Sequence, residues 1–352
     1  MGRARRGLVV DKSWGVRSAG LLSMVVAISV ALGACASGHA GAGPSSTGGG
    51  TPVVDAGAGG LDGSPTTAPA DDGPPLPNAS GPVTSSVLVL VDPTRPTVAR
   101  PPIGASGQRV IRTTVRRPAT GSGPWPLVVF GHGFDISSDA YGALLDTIAA
   151  AGFVVAAPEF PGSSSALPGR PDEHDIQQEP CDLRFVADRV QATSAEPGDL
   201  SGLVRAGPVA LAGQSDGASA AAFATLASAD CPSPQIAAVV AFSAKPVPDA
   251  AVTAAGRAAG AALLAITGSV DKVNVAANTA ALYDSWPGSA SMLTSAGDGH
   301  LAPSTDSPRH EAIASVVVDF LRGTVGSEPR VLTRVLIDAD VTGLTLVQRQ
   351  AR

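Results

Sequence analysis

The sequence predicts an α/β fold: a mostly parallel, twisted sheet of about eight strands with helices on both faces. The first sign is a set of short, continuous apolar runs, Pro126-Leu127-Val128-Val129-Phe130 and Phe153-Val154-Val155-Ala156-Ala157 among them. They have strand length and no polar face, as strands buried on both sides require. The second is what lies between the runs: Tyr141, Leu144, Leu145 and Ile148, then Leu183, Val186 and Val190, recur at helical spacing. Strands alternating with helices of that length imply crossovers over a parallel sheet. With aromatics at only 4% of the chain, the core has to be built from Val, Leu, Ile and Ala.

Two strands are expected first, Ser86–Val91 and Arg109–Val115, each closed by a turn signal. The buried run ending at Phe130 follows, then a helix, then the run from Phe153. Residues 160 to 180 read as a long polar loop, with Pro180 suited to the first turn of the next helix. Val209–Ala212 is a strand and leads directly into an Ala-rich helix from Asp216. Ile236–Phe242, Ala261–Ile266 and Ser291–Thr294 supply three more strands, and a last helix runs from about Arg309 to Leu321. The apolar stretch from Val331 to Leu346 is expected to pack as a terminal strand or hairpin.

Residues 1–35 read as an export signal rather than as structure. Arg3, Arg5, Arg6, Lys12 and Arg17 precede an apolar run from Ala19 to Leu32, short of the roughly 20 residues that span a membrane. Leu32-Gly33-Ala34-Cys35 resembles a bacterial lipobox, so Cys35 is expected to carry lipid and to anchor the chain at the outer face of the cell membrane. Cleavage after Ala36, with plain secretion, is the alternative. Residues 36–84 are a Gly/Ser/Pro/Thr-rich tether that cannot bury enough surface to offset its ordering entropy. One folded domain, 85–352, remains. A net charge of −6 with no basic patch argues against nucleic acid as a partner. Cys181 falls at the start of one predicted helix and Cys231 past the end of another. Parallel helices would hold them at opposite ends of the layer, which argues against a bridge that needs Cα atoms within about 7 Å.

The chemistry gathers around Gly213-Gln214-Ser215-Asp216-Gly217. In a chain with 41 glycines a G-x-S-x-G match has little weight by itself. Its placement between a buried strand and a helix, with no residue to spare, gives it weight. That turn would strain Ser215 and point a helix N-terminus at it. Of the five histidines, His300 alone lies in a loop after the final strand. A chain order of nucleophile, acid, base then selects Asp271, directly after a strand, as the acid. Asp298 is the runner-up, too close to His300 in sequence to reach the far side of its ring. The oxyanion hole is assigned to the backbone N–H groups of Asp216 and of Phe134, in the Gly131-His132-Gly133-Phe134 turn. His132 is expected to brace that turn. Asp172-Glu173-His174-Asp175 could ligate a hard cation, but four polar residues in a solvated loop favour plain solvation. No metal or cofactor is expected.

Taken with Gly152-Phe153-Val154-Val155, Gly268–Asp271 and Asp298-Gly299-His300-Leu301-Ala302-Pro303, these motifs resemble the α/β-hydrolase superfamily from about Ser85 to Thr324. The nearest resemblance is to bacterial dienelactone hydrolases, chlorophyllases and cutinase-like polyester hydrolases. It implies a catalytic domain that cleaves carboxylic esters, small-molecule or lipid, through an acyl-enzyme. Acyl transfer to a lipid or sugar, and a binding lipoprotein without activity, stay open beside it. Ser215 departs from the cysteine of dienelactone hydrolases. Asp216 stands where polyester-cleaving members have Met, and Ala244-Lys245-Pro246 lacks their Trp. If the Asp216 carboxylate faced the pocket, it would be expected to repel anionic substrates.

Overall fold

The computed structural model describes residues 81–226, 231–232, 234–245 and 260–351. Cys35 and the expected signal and tether therefore lie outside the described residues, apart from the last few of the tether. The first described strand starts slightly earlier than expected, at Val83.

Nine strands form a single sheet: β1 Val83–Asp92, β2 Arg109–Pro118, β3 Leu127–Gly131, β4 Val154–Glu159, β5 Val209–Gln214, β6 Ile236–Phe242, β7 Ala262–Gly268, β8 Ala290–Ser295 and β9 Leu344–Arg349. Their order is β1-β2-β4-β3-β5-β6-β7-β8-β9. The central strands β4 through β8 are parallel, while β1, β2 and β9 pair antiparallel at the two sides. This is the α/β-hydrolase architecture, one strand larger than the eight expected.

Helices α1 (Gly142–Ala150), α5 (His310–Thr324) and α6 (Arg334–Asp338) cover one face, where Val128, Phe130, Ala212, Val240 and Ile266 meet Leu145, Ile148, Val316 and Val317. Helices α2 (Glu179–Thr193), α3 (Asp216–Phe223) and α4 (Ala276–Ser285) cover the other, against Val129, Leu211, Val239 and Leu263. Neighbouring residues of β3 and β5 thus feed opposite cores, which is why these strands read as unbroken apolar runs.

Three expectations change. The stretch from Val331 is a short helix before it is a strand. Leu332 and Val335, three residues apart, dock on α5, where Gly323 leaves room for the Leu332 side chain. β9 comes after that turn and pairs with β8 from Ala290 to Ser295. The polar loop before α2 is not simply solvated: Glu173–Gln178 form a 3-10 turn capped by Asp172, and Asp175 is buried. Cys181 and Cys231 do form a disulfide, with Cα atoms 5.4 Å apart. Parallel helices would hold the two cysteines apart only if α3 carried the chain to the far end of the layer. α3 instead stops at Phe223, and the Leu226 carbonyl already lies on Arg184 of α2, 2.8 Å from its guanidinium.

Candidate active site

The nucleophile candidate sits where β5 turns directly into α3. Ser215 has φ 56° and ψ −116°, a conformation that side chains adopt only under constraint. The constraint is backbone packed on backbone. A Cβ at Gly213 would lie 2.3 Å from the Gly217 carbonyl oxygen, and one at Gly217 would lie 2.2 Å from that of Gly131. Only glycine permits β3, β5 and α3 to meet this closely. The Ser215 N–H donates to the Phe242 carbonyl at 2.9 Å, which ties the turn to β6.

Asp271 and His300 come from the loops after β7 and β8. His300 Nδ1 lies 2.8 Å from Asp271 Oδ2, so the carboxylate accepts a hydrogen bond from Nδ1–H and leaves Nε2 as the nitrogen with a free lone pair. Burial works to raise the Asp271 pKa. It is outweighed by hydrogen bonds from His300 and from the backbone N–H groups of Val273 and Asn274, and the carboxyl ends below its usual range. The two loops clasp each other. Val270 N–H donates to the Asp298 carbonyl at 3.1 Å, and a Cβ at Gly268 would strike that same carbonyl. Asp298, the alternative acid, is occupied elsewhere: its Oδ2 accepts from the Ser295 hydroxyl at 2.6 Å, and Arg309 stands 3.6 Å from its other oxygen. His310 lies at the start of α5.

Asn274 was not anticipated. Its Nδ2 donates to the Ser243 carbonyl at 2.8 Å and to Ser215 Oγ at 3.4 Å, while its N–H donates to Asp271 Oδ1 at 2.9 Å. Two further residues link the site through side chains that pattern alone assigns to a helix face and a strand end. The Tyr141 hydroxyl accepts from the Gly133 N–H at 3.3 Å and donates to Gln214 Oε1 at 2.9 Å. Gln214 Nε2 in turn donates to the His300 carbonyl at 3.2 Å.

The turn after β3 carries the oxyanion candidate Phe134, half-buried beside a positive-φ Asp135 whose N–H donates to Ser163 at 2.9 Å. Asp216, the other candidate, is the first residue of α3, so its N–H has no earlier turn of helix to accept it. His132 is fully buried and burial lowers its pKa. Its Nδ1 donates to Gly133 O at 2.7 Å and its Nε2 accepts from Phe160 N–H at 3.0 Å. One nitrogen is spent on the turn and the other ties it to the end of β4.

The Asp216 side chain is buried and pairs with Lys245, Oδ1 to Nζ at 2.6 Å. Lys245 follows β6 and is half exposed, and it supplies a counterion to the Asp216 carboxylate, whose charge was expected to repel anions if it faced the pocket. Both residues border a cavity of about 500 Å³ whose apolar walls include Ile176, Pro180, Phe223 and Leu226. Asp172 and Asp175, half of the possible cation cluster, are engaged: Asp172 with His174, and Asp175 with Arg109 at 2.6 Å. Among the described residues, no group of three His, Cys, Asp or Glu is placed to hold a metal.

A family model described as Chlorophyllase matches residues 108–253. The match takes in the turn after β3, the elbow and Lys245, and stops short of Asp271 and His300. Comparison with curated proteins gave no match. The family and the sheet together indicate a hydrolase acting on esters. Residues 108–253 thus resemble the chlorophyllase family, and the sheet of the described residues has the α/β-hydrolase architecture.

Proposed function

We propose that the protein is a serine esterase, cleaving carboxylic esters with Ser215 as nucleophile, His300 as base and Asp271 as its orienting acid. The observation that carries the reading is the 2.8 Å bond from His300 Nδ1 to Asp271, which frees Nε2 at the sheet end where Ser215 is held under strain. Ser215 Oγ attacks the carbonyl carbon as its proton passes to Nε2. The N–H groups of Asp216 and Phe134 receive the oxyanion, and protonated His300 returns its proton to the departing alkoxide. Water, activated by the same nitrogen, then releases the acid. No step calls for a cofactor. The cavity beside Asp216 lies within the usual range of small-molecule sites and favours an ester with one apolar arm.

The test is turnover of p-nitrophenyl esters together with labelling by a fluorophosphonate probe. Ser215→Ala should lose both, while His300→Ala and Asp271→Asn lose turnover by orders of magnitude and stay folded. His310→Ala should behave as wild type. A purified wild-type protein that neither turns over nor labels would instead support a binding role.

A further inference from the structure

We infer that Asn274 is a further catalytic residue: its side-chain amide donates to the nucleophile's oxygen and steadies the charge that Oγ carries in both halves of the reaction. This rests on the esterase reading above. The orientation of the amide is fixed by its neighbours. Nδ2 faces the Ser243 carbonyl at 2.8 Å, and an oxygen in its place would set acceptor against acceptor. The second Nδ2 proton is then directed at Ser215 Oγ, 3.4 Å away. Asn274 is buried, and its own N–H is tied to Asp271 Oδ1 at 2.9 Å, so the donor is held in place before any substrate arrives.

A hydroxyl oxygen has one proton to give and two lone pairs. With one pair facing Asn274, the proton is left for His300 Nε2. In acylation Oγ loses that proton to Nε2 and forms the new C–O bond while the carbonyl π pair moves onto oxygen; the pair then returns, the bond to the alkoxide breaks, and the alcohol leaves with the Nε2 proton. In deacylation a water proton goes to Nε2, the water oxygen bonds to carbon, and the Oγ–carbon bond breaks, with Oγ taking the proton back. Oγ is electron-rich at both barriers, as attacker and then as leaving group. A contact of 3.4 Å at rest is long for a hydrogen bond. Bonds to an ionised acceptor are shorter and stronger, so the donation grows as the charge develops.

The backbone N–H on Asp271 survives any substitution, which lets the side chain be tested separately from the acid loop. Asn274→Ala should lower the plateau of kcat by about tenfold or more, below the ~100–1000-fold cost of losing an oxyanion-hole donor, with KM little changed. Fluorophosphonate labelling, which uses the same oxygen, should slow in step. The acid limb of the kcat/KM profile, set by the His300–Asp271 pair, should stay where it is. Asn274→Leu, close in volume and lacking the donor, should repeat the result and covers the case in which the smaller side chain fails to fold. An acid limb that moves with the loss would show that Asn274 acts through the His–Asp pair and overturn the inference. So would a plateau within about twofold of wild type in a folded variant. An inert wild type would overturn the esterase reading itself, a separate outcome visible before any Asn274 variant is made.

Discussion

On the proposed function, Asp216 alone would place a negative charge beside the acyl group, and the Lys245 ammonium offsets it. A buried carboxylate 2.6 Å from an ammonium is seen by a substrate as a nearly neutral wall. Taking the cation away should restore the repulsion. Lys245→Met is expected to depress turnover of an ω-carboxylate ester more than that of its neutral analogue, with added salt narrowing the gap. Equal losses on both substrates would show that the pair does not face the bound ester. Ser215, Asp271 and His300 could be put forward as a candidate triad from sequence because chain order and turn position constrain the choice, and the fold sets His300 Nδ1 2.8 Å from Asp271. Lys245, Asn274, Gln214 and Tyr141 could not, because each is defined by a partner that only the folded sheet brings near. Asn274 is the hardest of these to anticipate: a residue three past the acid ordinarily reads as part of a turn.

The start of α2 is an element whose polar residues point inward. Arg109, on β2, is fully buried between Asp175 and Asp182, with contacts of 2.6 Å to each. Burial opposes its charge, but the two carboxylates outweigh it and hold the guanidinium protonated. Burial also lifts Asp182 against the pull of Arg109 and Arg95; the short paired contacts are those of a charged pair. A sequence pattern shows such residues as a polar loop and does not show which way they face. Glu179, beside them, is pushed well above the usual carboxylate range by burial and by Asp182, Asp216 and Asp175, against one hydrogen bond from the Ser163 hydroxyl. A folded pKa above the unfolded value of about 4.3 means that the native state binds this proton more tightly. Its contribution is whole below that pH and is lost as pH rises through the raised value. Glu179→Gln keeps an acceptor for Ser163 and has no proton to lose. The variant should match wild type in Tm near pH ~4 and exceed it by a few degrees at about neutral pH. Parallel Tm curves across that range would show that Glu179 is ionised in the fold.

At the scale of the whole molecule, the parallel sheet was legible because burial on both faces leaves an unmistakable apolar run. The ninth strand was anticipated only as a terminal strand or hairpin within Val331–Leu346, since Leu344–Arg349 mixes exposed and half-buried residues at an open edge. The disulfide was missed because its geometry depends on where α3 stops. No helix among the described residues is long and apolar enough to cross a membrane. We propose that the chain is held at the membrane by lipid on Cys35, a setting in which a disulfide also persists. Cys35→Ser should release the protein from the membrane fraction or stall its processing, because two acyl anchors together hold firmly. Wild-type protein recovered free in the medium with Ser37 at its N-terminus would favour simple secretion.

The glycine contacts between β3, β5 and α3 also bear on how the protein breathes. Gly131 and Gly213 are register partners in the middle of the sheet, and α3 rests on them with no side chain between. Separating the nucleophile from the turn after β3 would mean opening the ladder from Val128↔Ala210 to Gly131↔Gly213, flanked on either side by β4 and β6. Motions of that kind belong to global unfolding rather than to local fraying. The amides of Leu211, Ala212 and Gly213 should therefore be among the last in the molecule to exchange with deuterium. Those of the loops bearing Asp271 and His300 should exchange sooner, so that the proposed site would couple a nucleophile as slow as the core to a base that moves with the surface.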